Sequence, residues 1–185
     1  MKSTSITLKA VGSDLSIAFA GSILLAFLSQ YYIPLPFTPV PISMQTIGVF
    51  LIGGLLGPTR GFLSVLLYLV EGTIGLPVFA GGLAKPLWFN ASTAGFLFSF
   101  LFTVPLIGKL LVNKLHKSWL YIFTSLLIAQ LIMFLFGMGW LSLSEGLKKA
   151  FYLGVYPFLI GAIVKIVVST LILKGLFSSR STYNV

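Results

Sequence analysis

The chain has 185 residues, of which 57% are hydrophobic and only 8% are charged. A soluble globular domain carries about 25% charged residues, so this chain cannot cover itself with a water-compatible surface. The composition excludes an ordinary soluble enzyme and a disordered chain, and it predicts an all-α protein that spans a lipid bilayer.

The charge balance is strongly basic, with 12 Lys and Arg against 3 Asp and Glu and a net charge of +9. In a membrane protein such an excess is typical of cytoplasmic loops, so it does not indicate nucleic-acid binding. Cysteine is absent and His116 is the only histidine, which excludes disulfides and thiolate metal sites. We therefore expect no cofactor, no metal centre and no enzymatic activity, and a solvated loop position for His116.

Six apolar runs follow one another along the chain, bounded by prolines, glycines or charged residues. The first ends at Pro34, the second is broken by Gly57-Pro58-Thr59-Arg60, and the third ends at Pro77. At about 20 residues per crossing, these runs predict a bundle of six transmembrane helices. We place them in one domain, 1–185, with spans at about 16–33, 42–57, 61–76, 93–112, 118–139 and 155–173.

The positions of the basic residues predict the orientation in the membrane. With a cytoplasmic N-terminus, the inner segments hold more Lys and Arg than the outer ones, as expected for cytoplasmic loops. Both termini are then cytoplasmic in a multi-pass protein of the plasma (inner) membrane, and the long connections 33–41 and 76–92 both lie outside. The inner set is Lys2, Lys9, Arg60, Lys109, Lys114, Lys117, Lys174 and Arg180, and the outer set is Lys85, Lys148 and Lys149.

Two ionisable residues lie well inside predicted spans, where each costs roughly 2.5–3.5 kcal/mol on insertion scales. Lys165 lies near the middle of the sixth span, and we interpret it as a cation or donor that faces a ligand in a cavity. The alternative is a lysine that reaches the membrane interface or is held by a neighbouring helix. Glu71 lies at a similar depth in the third span, where it pairs with Lys165 or Lys85, reaches outer headgroups or contacts a ligand.

Further polar and aromatic residues surround the two long connections. Gln45 opens the second span with a side chain that can donate and accept, either to a ligand or to another helix. Asn90 precedes the fourth span, where it caps the helix or helps to form an N-terminal site for a carboxylate. Phe79 and Trp88 form the wall of such a pocket or anchor the protein at the interface.

Small residues recur along the first span at Ala18, Ser22 and Ala26. Such a stripe allows another helix to approach closely. The helix is either a neighbouring span of this chain or part of a partner protein.

Motifs of energy conversion are missing from the sequence. It contains no Gly-x-x-x-x-Gly-Lys-[Ser/Thr], so the chain is not expected to hydrolyse ATP itself. It also has no series of intramembrane acids or histidines typical of a proton relay, and no pair of matching halves with broken helices.

Three segments stand out by their motifs: residues 39–46 (Pro-Val-Pro-Ile-Ser-Met-Gln-Thr), 54–58 (Gly-Leu-Leu-Gly-Pro) and 72–82 (Gly-Thr-Ile-Gly-Leu-Pro-Val-Phe-Ala-Gly-Gly). Together they resemble the signature of the BioY family, the biotin-binding S components of energy-coupling-factor (ECF) vitamin transporters. Residues 156–161 (Tyr-Pro-Phe-Leu-Ile-Gly) through Lys165 resemble the last helix of the family.

The resemblance implies a six-helix membrane protein that binds biotin near the outer face. It also implies a coupling transmembrane protein and ATPase subunits as partners, although some members are reported to transport biotin alone. By resemblance, Lys165 matches a lysine of the last helix that contacts the ligand, and Gln45 matches the glutamine after Pro-Val-Pro-Ile.

Two segments depart from the family pattern where ligand contacts are expected. The family usually has Gly-Asp-x-x-Lys in the last helix, and Ala162 stands in place of the acid. Residues 91–96 read Ala-Ser-Thr-Ala-Gly-Phe instead of Gly-Pro-[Thr/Ser]-x-Gly-Tyr. These changes allow altered affinity or a related ligand, and we hypothesise that Glu71 replaces the missing acid.

The residues also suit biotin chemically, because the ligand combines a carboxylate, an apolar ring and chain, and a planar urea. Two alternatives stay open: a self-sufficient carrier for biotin or a related carboxylate such as dethiobiotin or a lipoate-like acid, and an intramembrane enzyme. The enzyme would need paired catalytic groups at one depth, for which Glu71 and Lys165 are the only candidates.

Overall fold

The computed structural model describes the backbone of residues 8–82, 86–111 and 118–182, and the side chains of residues 12–82, 86–111 and 118–179. Lys85 and His116 lie outside the described residues. So do the side chains of Lys2, Lys9, Lys114, Lys117 and Arg180, which the predicted orientation uses.

The described chain is all-α apart from one short antiparallel ribbon, which confirms the all-α part of the predicted fold. Five stretches are long and apolar enough to cross a membrane: Gly12–Ser29, Gln45–Thr73, Ala94–Leu111, Trp119–Glu145 and Leu147–Ser179. The elements are α1 (Leu8–Ser29), β1 (Tyr32–Ile33), β2 (Ile42–Ser43), α2 (Gln45–Thr73), α3 (Ala94–Leu111), α4 (Trp119–Glu145), α5 (Leu147–Gly154) and α6 (Leu159–Thr182), with 3-10 turns at Trp88–Asn90 and Tyr156–Phe158.

The second of these helices, α2, reverses direction at Gly57. This residue has φ 81° and ψ −175°, a conformation that glycine adopts without strain, and Pro58 follows it. Gln45 Nε2 donates a hydrogen bond to the Tyr68 hydroxyl, 23 residues further along the chain. In a straight helix these residues would lie about 35 Å apart. The two halves of α2 therefore pack side by side, and the chain breaks at the glycine–proline pair that the sequence singled out.

Glycines allow α2 and α3 to approach each other closely at this turn. A Cβ added at Gly108 of α3 would overlap the backbone of Gly57 and Pro58. A Cβ at Gly53 would come within 2.8 Å of the Ile107 side chain. We call this part of the molecule, formed by Gly53, Gly57, Pro58 and Gly108, the hairpin end.

The stripe of small residues on α1 packs within the chain. Ala18 and Ser22 are both fully buried, and a Cβ at the neighbouring Gly21 would overlap Ser64 of α2. Ala18 and Ser22 therefore offer no surface to another protein, whereas Ala26 is partly exposed, and a partner contact at Ala26 stays a prediction. The alternative of a neighbouring span of the same chain accounts for the burial of Ala18 and Ser22.

Several helix ends differ from the predicted spans. Helix α1 stops at Ser29 rather than near Ile33, because Tyr32 and Ile33 pair with Ser43 and Ile42 in the β1–β2 ribbon. Helix α4 continues past Gly139 to Glu145 and ends at Gly146, which has φ 75°. A glycine within an apolar helix does not end it unless the backbone turns there.

Candidate functional site

A cavity of about 540 Å³ opens beneath the two long connections. Its volume lies within the range of roughly 300–1,000 Å³ typical of small-molecule sites. Both connections contribute to its wall, which agrees with their predicted placement on one side. The lining includes Pro34, Thr38 and Val40 of the first connection, Phe79, Trp88 and Asn90 of the second, and Tyr32, Ser43, Gln45, Phe96, Phe100, Gln130, Met133, Phe134, Ala162 and Lys165.

The first connection, residues 34–41, is fixed at both ends and in the middle. The β1–β2 ribbon closes it, with Tyr32 opposite Ser43. The Thr38 hydroxyl donates to the Leu153 carbonyl of α5 at 2.6 Å and accepts from the Val40 amide at 3.2 Å. The connection is therefore held over the cavity by hydrogen bonds to α5 and within itself.

The second connection places two aromatic side chains in the cavity wall. Trp88 Nε1 donates to the Thr73 hydroxyl at 2.9 Å. The Phe79 ring packs edge-on against Tyr68, with ring centroids 5.4 Å apart, and lies 6.1 Å from the Trp88 ring. Gly72 leaves the space that Phe79 occupies, because a Cβ there would overlap the Phe79 ring. The aromatic wall is thus positioned by the C-terminal part of α2.

Lys165 and Gln45 place polar groups in this largely aromatic cavity. Lys165 lines it, and among the described residues no carboxylate lies within ion-pair distance of its amine. Gln45 is 8% exposed, and both the nitrogen and the oxygen of its carboxamide form hydrogen bonds within the protein. Its Nε2 donates to the Tyr68 hydroxyl, and its Oε1 accepts from Ser43 Oγ at 3.2 Å. One N–H of Gln45 and the amine of Lys165 stay available to a bound molecule.

Gln130 of α4 is a cavity residue that the sequence analysis missed. It is 6% exposed, lines the cavity, and its Oε1 has no hydrogen-bond partner among the described residues. The available signal was a lone carboxamide near the middle of the fifth apolar run. Such a residue is equally typical of a contact between membrane helices.

Comparison with known proteins identifies the family. The BioY family model matches residues 2–182. The chain therefore belongs to the BioY family. Among its relatives, "Probable biotin transporter BioY" of Pyrococcus horikoshii is 38% identical over 75% of this chain and 81% of that protein. "Biotin transporter BioY2" of Lactococcus lactis is 31% identical over 92% of this chain and 93% of that protein.

A solved structure of the S component for biotin from an ECF-type ABC transporter is similar to this BioY-family chain, with a TM-score of 0.80 and 28% identity. It covers 93% of this chain and 94% of that one. These relatives are transporters, and the chain is a multi-pass membrane protein of the same family rather than an enzyme. The resemblance seen in the sequence is confirmed.

Five of the predicted site residues of this BioY protein line one cavity: Lys165, Gln45, Asn90, Phe79 and Trp88. Asn90 lies with Ala91, Ser92 and Thr93 directly before α3, so the N-terminus of that helix borders the cavity. What these residues do for a ligand stays a prediction. Lys85 lies outside the described residues.

Glu71 is placed differently from the hypothesis that it replaces the missing family acid. Its Oε1 accepts a hydrogen bond from Ser22 of α1 at 2.8 Å, it is not among the residues that line the cavity, and no ion pair joins it to Lys165. The rotation of α2 that turns Tyr68 toward Gln45 turns Glu71 toward α1. The geometry therefore does not support Glu71 as the acceptor in the cavity.

Proposed function

We propose that this chain is the biotin-binding membrane subunit of an ECF transporter and mediates biotin uptake. The observation that carries the proposal is a small-molecule cavity with an amine, that of Lys165, which no described carboxylate neutralises. Relatives named as biotin transporters and a similar S component for biotin support the choice of ligand. The role is transport, with no catalytic residues.

The chemistry of the cavity complements that of biotin. The Lys165 amine and the N-terminal end of α3 near Asn90 are both suited to an anionic carboxylate or a polar carbonyl. Phe79 and Trp88 provide apolar area for the ring and the aliphatic chain. Gln45, fixed by Tyr68 and Ser43, offers a donor to the ligand without having to be ordered on binding.

In the proposed topology the chain crosses the plasma (inner) membrane six times, with each half of α2 counted as one crossing. The end of the bundle that contains the cavity, which we call the cavity end, faces outward, and the hairpin end faces the cytoplasm. Arg60 and Lys109 then lie on the cytoplasmic side, and both are exposed. Both termini are cytoplasmic, in keeping with the excess of basic residues in the inner segments.

The proposed partners are a coupling transmembrane protein and ATPase subunits. The chain itself has no nucleotide-binding motif of the Gly-x-x-x-x-Gly-Lys-[Ser/Thr] type, so ATP-driven uptake requires an ATPase in trans. Uptake of labelled biotin by cells that express this chain with and without those partners tests the requirement. Equal uptake in both would favour the self-sufficient carrier.

The binding function is tested by titrating biotin, dethiobiotin and lipoate against the purified protein in detergent, with calorimetry as the readout. We expect biotin to bind most tightly, because it fills both the polar and the aromatic parts of the cavity. Equal and weak binding of all three acids would overturn the assignment.

A further inference from the structure

Buried polar atoms without partners are rare in folded proteins, and each one needs an explanation. Among the described residues there are three such side-chain atoms: Gln130 Oε1, Ser169 Oγ and Thr170 Oγ1. Only Gln130 also lines the cavity. Ser169 and Thr170 are both fully buried and lie outside the cavity lining.

The position of Gln130 along α4 places it deep in the cavity, close to the level of Lys165. Phe134, one turn further along α4, packs in one cluster with Val155 and Ala162. Helix α6 begins near the end of α4, so the two helices run in opposite directions. The turn of α4 that carries Gln130 is therefore level with the turn of α6 that follows Ala162 and carries Lys165.

The two deep polar residues differ in what they can offer a ligand. Lysine only donates hydrogen bonds, whereas the carboxamide of glutamine has an oxygen that only accepts. The Gln45 carboxamide is engaged at both of its ends by Tyr68 and Ser43. The Gln130 carboxamide oxygen is thus the acceptor near Lys165 that lacks a partner within the described chain.

We infer that Gln130 contacts the ligand directly: half a turn of its carboxamide brings the buried oxygen to the cavity, where it accepts a hydrogen bond from one of the ligand's N–H groups and makes the cavity selective for acids that carry a cyclic urea. The inference deepens the proposed function and rests on it. A ligand without an N–H leaves the buried oxygen unpaired, which is the arrangement that discriminates most strongly between substrates of similar shape. Lipoate is such a ligand, whereas biotin and dethiobiotin each carry the urea.

The test is the Gln130→Met variant, which keeps the length of the side chain and removes its hydrogen-bonding groups. We expect about a tenfold loss of affinity for biotin and for dethiobiotin, the size typical of one buried hydrogen bond. Affinity for lipoate should stay the same or increase. The control is Thr170→Val, which removes another unpartnered buried oxygen outside the cavity and should leave all three affinities unchanged.

A ligand modified at the same bond gives a second measurement. Methylating the contacted ureido nitrogen of biotin should weaken binding to the parent protein about tenfold, and this penalty should vanish in Gln130→Met. Thermal unfolding of each variant in detergent checks that it is folded.

Three results would overturn the inference. One is unchanged biotin affinity in Gln130→Met, and another is an equal loss for biotin, dethiobiotin and lipoate. A third is a methylation penalty that persists in the variant at both ureido nitrogens. Failure of the parent protein to bind any urea-containing acid would instead reject the proposed function, and the inference with it.

Discussion

The two ends of this helical bundle differ in packing: glycines bring helices into close contact at one end, and aromatic residues line a cavity at the other. At the hairpin end, Gly53 and Gly108 bring α2 and α3 into contact at the backbone, with no room for an added methyl group. At the cavity end, Phe79 and Trp88 line a cavity of about 540 Å³. At the hairpin end, close packing of the backbones fixes the helices relative to one another. At the cavity end, the hydrogen-bonded connections cover a cavity that the helices leave unfilled.

The largest expected effect is on stability, from Gly108→Ala at the hairpin end. The added Cβ meets the backbone of Gly57 and Pro58, which cannot move aside as a flexible side chain would. We expect a loss of about 3 kcal/mol in the free energy of unfolding, measured by denaturant or thermal unfolding in detergent.

The matched control is Gly139→Ala, a glycine within α4 that has no atom within 4 Å of the added Cβ. It should change stability by less than about 1 kcal/mol. If both variants lost the same stability, close packing would not distinguish the hairpin end.

The next largest effect is on binding, from Lys165→Ala at the cavity end. Removing a charge-assisted hydrogen bond to the ligand should weaken biotin binding about 100-fold, or about 2.7 kcal/mol. The unfolding temperature should stay the same or increase, because the cavity loses an amine without an ion-pair partner among the described residues. Lys109→Ala, at the exposed end of α3, is the control and should bind biotin like the parent. Unchanged affinity in Lys165→Ala would remove this residue from the site.

A smaller effect is expected from Gly72→Ala, which tests whether α2 positions the aromatic wall. The added Cβ overlaps the Phe79 ring, so the ring must leave its place beside Tyr68 and Trp88. We expect about tenfold weaker biotin binding and a loss of about 1 kcal/mol in the free energy of unfolding. Combining this change with Phe79→Leu should then cost no more than Phe79→Leu alone. Additive losses would mean that the two residues act independently.

The smallest effect is expected from Trp88→Phe, which keeps a ring and removes the hydrogen bond from Trp88 Nε1 to the Thr73 hydroxyl. We expect about threefold weaker biotin binding, since one neutral hydrogen bond that orients the ring is lost. Thr73→Val should have the same effect, and the double variant should be no worse than either single change. A double variant with twice the loss would show that the hydrogen bond does not couple the two residues.

The fold and the place of the cavity could be predicted because they depend on composition and on residues that break helices. The Gly57-Pro58 pair marked the reversal of α2, and prolines at 34 and 77 marked the two connections that border the cavity. These signals are local, since proline fixes its own φ and glycine permits a positive φ without strain.

The partners of individual polar side chains could not be predicted, because they depend on how each helix is rotated in the bundle. Pairing with Lys165 was one alternative that the depth of Glu71 suggested, but Glu71 is turned toward Ser22. Gln130 gave no distinguishing signal, since the apolar residues on every side of α4 conceal which face meets the cavity. Likewise, the burial of Ala18 and Ser22 within the chain depends on which helix lies beside α1.

The central claim is that biotin occupies the cavity beneath the two connections. The chain contains no cysteine, so a single Ser92→Cys variant reports on the cavity, which Ser92 lines. Ser142→Cys, on α4 outside the cavity lining, is the control.

The measurement is the rate at which a membrane-impermeant thiol reagent, added from outside the cell, labels each variant with and without biotin. At a biotin concentration about one hundred times the dissociation constant, we predict that labelling of Ser92→Cys slows about a hundredfold. Labelling of Ser142→Cys should not change. Equal labelling rates of Ser92→Cys with and without biotin, in protein that binds biotin, would place the ligand elsewhere and contradict the account.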